Sequence, residues 1–163
     1  MDVVKLQNRA NEIIDNLCKK YNIKRSDVIL KTYTSLSKNH TQKGSANYLR
    51  NVVDYKVVYD KTKYQILLND TIKTDKELLA TTTHEFGHVL QLHHLGENKQ
   101  KDLTKQTPKV KFTIYNKNLC EIQAEAFTIY EIGYSNNSVR GAKDMECYTK
   151  TIIEFFNQFK NNK

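Results

Sequence analysis

Residues 84–88 read His84-Glu85-Phe86-Gly87-His88, an H-E-x-x-H string that is the most informative stretch of this chain. In a helix, residues four positions apart lie on the same face, so the imidazoles of His84 and His88 could reach one metal ion. Glu85 is offset by one position, which would let its carboxylate reach a water molecule on that metal without binding the metal. The string therefore predicts a metal-dependent hydrolytic site, with zinc as the expected metal.

The flanking sequence predicts that this string lies well inside a long helix. Thr74-Asp75-Lys76-Glu77 has the pattern of a capping box, with Thr74 as the N-cap and Glu77 at position N3. Gly96 is the expected stop, which gives a helix of about 20 residues. The apolar positions recur at mostly helical spacing and are Leu78, Leu79, Phe86, Val89, Leu90 and Leu95. We therefore expect a helix with a buried face, which suits a metal site.

Two histidines are too few for a catalytic zinc, which usually takes three protein ligands. A second helix, predicted from Glu121 to about Gly133, supplies the first candidate for the third ligand, Glu121. Glu125 lies on the same face four residues later and could accept a hydrogen bond from the outer nitrogen of a ligand histidine. The spacing also allows the reverse assignment, in which Glu125 binds the metal and Glu121 supports a histidine.

His94 is the remaining candidate for the third ligand. It stands six residues after His88, where the pattern H-E-x-x-H-x-x-G-x-x-H has its third histidine. That pattern needs glycine where this chain has Gln91, because the chain must leave the helix to bring the third histidine back. Gln91 is a good helix former, so the sequence favours Glu121 over His94.

Together the two motifs resemble the catalytic domain of the anthrax lethal factor-like metallopeptidases, a gluzincin group. The resemblance rests on residues 84–88 and on the E-x-x-A-E-A-F segment of residues 121–127, and it covers about residues 50–160. It implies a zincin-like fold and a zinc-dependent metalloendopeptidase whose partner is a protein or peptide substrate. The ImmA/IrrE-like peptidases, many of which cleave a repressor for mobile genetic elements, share much of this pattern and are the second choice.

The resemblance also implies a role for each candidate residue. One zinc ion per chain would be bound by His84, His88 and Glu121, and Glu85 would be the general base. The lethal factor-like family carries a tyrosine shortly before the ligand glutamate, where it supports the transition state. Tyr115 is the candidate for this catalytic tyrosine, since it lies six residues before Glu121, one residue short of the family spacing.

A hairpin just before the metal-binding helix is the expected substrate-binding element. Val52–Tyr59 and Tyr64–Asn69 have strand composition, and Asp60–Lys63 has the composition of a turn. An extended peptide could add to the edge of this hairpin by main-chain pairing.

The order of elements predicts one α+β domain over residues 1–163, with helices packed on a small antiparallel sheet and the H-E-x-x-H helix central. Its two parts would be an N-terminal helical part over residues 1–50 and a catalytic core over residues 51–160. The remaining predicted elements are a helix from Val3 to about Tyr21, a helix capped by Ser26 and Asp27 that runs to about Leu36, a loop over residues 38–50 and a final helix over Ala142–Phe159.

The basic composition of the chain is also compatible with a binding function in place of catalysis. The net charge is +8, and a basic surface can bind nucleic acid or acidic membranes. The lysines are spread along the chain and mixed with acidic residues, and no nucleic-acid-binding motif stands out. A basic DNA-binding or interaction protein without catalysis is therefore an alternative, and no nucleic-acid partner is predicted.

The amino terminus has no long apolar run, so we expect no signal peptide and no membrane span. The expected location is the cytoplasm, with release by a route without a signal peptide as the alternative, and the expected state is a monomer. The three cysteines form no C-x-x-C pair, which favours free thiols in a reducing compartment. Cys120 precedes Glu121, but a lone cysteine without a partner set of histidine and asparagine is a weak candidate nucleophile.

Overall fold

The structure is a computed structural model that describes residues 1–34, 42–106, 119–136 and 157. The described chain is α+β, as predicted, with three helices and one three-stranded sheet. The elements are α1 (Val3–Tyr21), a short 3-10 helix (Arg25–Asp27), β1 (Val28–Tyr33), β2 (Gly44–Val53), β3 (Lys56–Asn69), α2 (Asp75–Gln106) and α3 (Leu119–Ile132). Tyr115 and the predicted final helix, apart from the helical residue Asn157, lie outside the described residues.

Helix α1 has the predicted bounds because its first and last turns are both capped. The carboxylate of Asp2 accepts a hydrogen bond from the backbone N–H of Lys5 at 2.8 Å. Asn22 adopts a left-handed conformation with φ of 58°, which ends the helix. The buried apolar face consists of Leu6, Ala10, Ile13, Ile14 and Leu17. This face packs α1 against α2 and β1.

The helix predicted from Ser26 to Leu36 is wrong. Val28–Tyr33 forms β1 instead, which pairs in parallel with residues 64–69 of β3. The β-branched and aromatic residues of this segment favour a strand, and the pairing with β3 stabilises the strand over a helix. The strand order is β1-β3-β2, so the sheet is mixed and not antiparallel as predicted.

The loop predicted over residues 38–50 is wrong from Gly44 onward, where β2 begins. Its polar composition was misleading because β2 is an edge strand of the described sheet. One face of an antiparallel strand pair can lie against solvent and carry polar side chains. Gly44 and Tyr48 are buried in this strand, whereas Asn47 and Arg50 are exposed.

The hairpin turn lies at Asp54 and Tyr55, not at Asp60–Lys63 as predicted. Asp54 and Tyr55 have φ angles of 49° and 61°, as a two-residue hairpin turn with matching twist requires. Asp60 instead accepts two hydrogen bonds from Thr62 inside β3. The turn-forming residues therefore produce a local irregularity, and the register between β2 and β3 shifts there.

Helix α2 carries the H-E-x-x-H string and begins as predicted. The backbone N–H of Glu77 donates to the hydroxyl of Thr74 at 3.1 Å, and the carboxylate of Glu77 accepts from the backbone N–H of Lys73. Gly96, with φ of 63° and ψ of 176°, interrupts the helix where the stop was predicted. A further helical segment, which the sequence did not predict, then continues to Gln106.

Helix α2 packs against α1, α3, β2 and β3. Phe86, Val89 and Leu90 on its inner face are fully buried. Burying such side chains contributes about 1.5–3 kcal/mol each, so the segment around the two histidines is firmly held. Among the described residues, no helix is long and apolar enough to cross a membrane.

Candidate metal centre

Helices α2 and α3 approach each other closely because small residues face each other where they meet. A Cβ atom added to Gly87 would lie 3.2 Å from the Cα atom of Ala124 and 3.0 Å from Cδ1 of Phe127. The glycine within H-E-x-x-H and the alanine within the second motif therefore permit this approach. The approach matters because α2 carries His84 and His88, whereas α3 carries Glu121.

Gly87→Ala is expected to lower the free energy of unfolding by up to about 2 kcal/mol, because overpacking the contact with α3 costs about 1–3 kcal/mol and helix propensity regains about 1 kcal/mol. Thermal unfolding would show a lower Tm, by about 2–4 °C per kcal/mol. An unchanged Tm would contradict the close packing.

The side chains of His84, His88 and Glu121 converge on one point between the two helices. The Nε2 atom of His84 lies 2.9 Å from Oε2 of Glu121, and the Nε2 atom of His88 lies 3.1 Å from Oε1 of the same residue. One donor atom from each residue lies within 4.8 Å of the other two. These three residues could hold a metal ion, and they are the three that the sequence resemblance implied as ligands.

The outer nitrogens of both histidines face acceptor groups. The Nδ1 atom of His84 donates to Oε2 of Glu125 at 3.0 Å, and that of His88 donates to Oε1 of Gln91 at 2.9 Å. We assign the protons to Nδ1 on this basis. Binding of a metal would displace any proton on Nε2, so that each Nε2 atom offers its lone pair to the metal while the outer nitrogen is held as is usual for metal-binding histidines.

The donor set and its spacing both fit a metal ion. Ligand bonds of about 2.0–2.2 Å in a tetrahedral site place neighbouring donor atoms about 3.3–3.6 Å apart. The two distances from histidine nitrogen to Glu121 oxygen, 2.9 and 3.1 Å, are a few tenths of an ångström shorter, so a small shift of the side chains would accommodate an ion. Two imidazoles and one carboxylate leave a fourth position for water or substrate.

The electrostatics of the cluster also favour a cation. Burial by itself would lower the pKa of His84, but hydrogen bonds to Glu121 and Glu125 outweigh burial and raise the pKa to about 10. Hydrogen bonds from His84 and His88 hold the pKa of Glu121 well below its usual range. The carboxylates therefore stabilise positive charge at this point, as a site for a divalent cation must do.

Glu85 lies beside the cluster and is nearly fully buried. Burial raises its pKa, although the nearby His84 and His88 act in the opposite direction. A Cβ atom on Gly44 would lie 2.9 Å from both Cγ and Oε1 of Glu85. The start of β2 therefore contacts this carboxyl group, a role for Gly44 that the sequence analysis missed because it placed Gly44 in a loop.

The structure does not bring His94 into the cluster. The neighbouring His93 instead contacts Tyr64, whose hydroxyl lies 2.9 Å from Nδ1 of His93. The rings of His93 and His94 have centroids 4.6 Å apart. Burial, followed by the charge of His93, lowers the pKa of His94 to about 4. Glu125 likewise lies behind His84 and not among the three converging donors.

The described cysteines, Cys18 and Cys120, are free thiols, as predicted. Burial, followed by the charge of Glu121, raises the pKa of the Cys120 thiol, which makes this side chain a poor nucleophile. The part of Cys120 with a visible role is its backbone carbonyl, which accepts a hydrogen bond from Gln91 at 3.0 Å.

Comparison with known proteins adds no family assignment. The chain matches no family model, and neither the curated proteins nor the solved structures show significant similarity to it. The residues of the cluster and their geometry are therefore the features that bear on function.

Proposed function

We propose that this chain is a zinc-dependent metalloendopeptidase with a zincin-like fold. The observation that carries the proposal is the convergence of His84, His88 and Glu121 within 4.8 Å, next to the buried carboxyl group of Glu85. Two histidines and one glutamate are a known ligand set of catalytic zinc in peptidases. The resemblance of both motifs to lethal factor-like peptidases supports the same function.

When bound, zinc would polarise the scissile carbonyl and lower the pKa of a water molecule toward neutrality. Glu85 would take a proton from the attacking water and later transfer it to the leaving amine. The raised pKa of Glu85, caused first by burial, suits this task. A carboxyl group accepts and releases protons most effectively when its pKa is near the operating pH.

The position of β2 supports an extended peptide as the substrate. In the part of the chain that the structure describes, β2 pairs with β3 alone, which leaves its other edge available for pairing. Gly44, at the start of β2, contacts Glu85. A peptide added to this edge would therefore run past the proposed general base. Both families that the sequence resembles cleave peptide bonds. A repressor as the substrate, which the resemblance to the ImmA/IrrE-like peptidases implies, stays a prediction.

Gly44→Ala is expected to reduce turnover by about 10²-fold, because the new methyl group would displace the Glu85 carboxyl group from its position. Zinc content should not change, since the atoms nearest to the added methyl group belong to Glu85 and Thr81 and not to the three proposed ligands. The matched control is Ser45→Ala at the next position of β2, where the side chain points to the opposite face of the sheet. Equal turnover in the two variants would contradict the role of Gly44.

Metal analysis combined with peptide digestion tests the proposed function directly. The purified protein should contain about one zinc ion per chain and should cleave internal bonds in a proteome-derived peptide library. Chelation should abolish cleavage, and added zinc should restore it. A protein that binds no zinc and cleaves no peptide under these conditions would overturn the proposal.

A further inference from the structure

Gln91 is a buried polar residue for which the proposed mechanism gives no role. It lies on α2 three positions after His88, and its exposed fraction is 0%. A buried amide has to satisfy its hydrogen-bonding groups, because an unpaired buried polar group costs about 1–3 kcal/mol. The partners of Gln91 therefore indicate what the side chain does.

The amide of Gln91 makes three hydrogen bonds. Its Oε1 atom accepts from Nδ1 of His88 at 2.9 Å. Its Nε2 atom donates to the backbone carbonyl of Cys120 at 3.0 Å and to Oε1 of Gln123 at 3.1 Å. These bonds use both N–H groups of the amide, so the side chain joins α2 to the first turns of α3.

The partners also determine which way the amide faces. The carbonyl of Cys120 can only accept a hydrogen bond, so the nitrogen of Gln91 must point toward it. The oxygen of Gln91 then necessarily faces His88. An acceptor at that position holds the proton of His88 on Nδ1 and leaves Nε2 free for the metal.

We propose that Gln91 is a positioning residue for the metal centre: its amide, oriented by the carbonyl of Cys120, fixes the tautomer and ring orientation of His88. This inference rests on the proposed function. The inference goes beyond the proposed function because it assigns a hydrogen-bond acceptor to the outer nitrogen of His88, as Glu125 is the acceptor for His84. In the sequence, Gln91 is notable only as a helix-forming residue in the place of a glycine.

Two variants separate this role from a merely structural one. Gln91→Met removes both the acceptor for His88 and the donors to α3, so zinc affinity should fall by about 10–100-fold and Tm should fall as well. Gln91→Glu loses the donors but keeps an oxygen that can accept from His88. Zinc affinity of Gln91→Glu should therefore remain within about threefold of wild type, although its Tm falls.

The matched control is Gln65→Met on β3. Gln65 is also a buried glutamine, and its Oε1 atom accepts from the backbone N–H of Arg50, away from the metal centre. This variant should lose stability without losing zinc affinity. If zinc affinity falls equally in Gln91→Met and Gln91→Glu, Gln91 only anchors α3 and the proposal is wrong.

Nuclear magnetic resonance of the zinc-loaded wild-type protein tests the same point without a variant. The Nδ1 proton of His88 should be observable and slow to exchange with solvent, and Nε2 should carry the metal. Coordination through Nδ1 would overturn the proposal even if no variant folds. A wild-type protein that binds no zinc would instead refute the proposed function, so the two failures are distinguishable.

Discussion

Glu85→Gln is expected to reduce peptide turnover by about 10²–10⁴-fold, the usual contribution of a general base, while zinc remains bound. The amide has nearly the same shape as the carboxyl group but cannot accept a proton from the attacking water. Because burial already raises the pKa of Glu85 and so disfavours its charge, the neutral amide should not lower Tm. Turnover should be measured with the peptide that wild type cleaves fastest.

The control for this variant is Glu12→Gln, which changes an exposed glutamate on α1 in the same way. Its turnover should equal that of wild type. Zinc content should be measured in all three proteins, so that a loss of metal is not mistaken for a loss of the base. If Glu85→Gln cleaves at the wild-type rate with zinc bound, Glu85 is not the general base.

Glu121→Ala is expected to weaken zinc binding by more than about 100-fold. Losing a residue that only hydrogen-bonds to a metal ligand weakens binding by up to about 100-fold, and the loss of a ligand itself should cost more. The carboxylate oxygens of Glu121 lie 2.9 Å from Nε2 of His84 and 3.1 Å from Nε2 of His88. Glu121 is also the only one of the three proposed ligands on α3. Competition with a chromogenic zinc chelator would measure the affinity. Turnover should fall with the loss of zinc.

His94→Ala is the matched comparison, because His94 was the other candidate for the third ligand. The structure does not include His94 in the cluster, so this variant should bind zinc with wild-type affinity. His84→Ala is the positive control and should lose zinc affinity as Glu121→Ala does. Strong zinc binding by Glu121→Ala, together with weak binding by His94→Ala, would show that the ligand assignment is wrong.

Local signals predicted α1, the start of α2 and α3 with nearly correct bounds, although they also predicted a helix where β1 lies. The apolar spacing of α1 and the capping box of α2 act within a few residues, so they can be recognised without knowledge of the fold. Gly96 was correctly identified as an interruption for the same reason. The helical segment after Gly96 was missed, because a stop signal does not reveal whether a second helix follows.

The strands were predicted less well because their pairing is not local. Val28–Tyr33 was predicted as part of a helix, but its parallel pairing with β3, which no local signal reveals, makes it a strand. Residues 60–63 have the composition of a turn, yet the hairpin turns at Asp54 and Tyr55. Pairing of β2 and β3 continues past Asp60, with a shift in register. The turn composition of residues 60–63 does not reveal that β2 and β3 stay paired across this shift in register.

The two motifs are sufficient to identify the residue types of the candidate site and to assign them to two helices. A period of 3.6 residues per turn places His84 beside His88 and Glu121 beside Glu125, wherever the two helices lie. Three features of the site do not follow from the motifs: which glutamate joins the histidines, which residue holds each outer nitrogen and which strand contacts Glu85. These depend on how closely Gly87 and Ala124 let α2 and α3 approach and on where β2 begins, and packing between distant segments sets both.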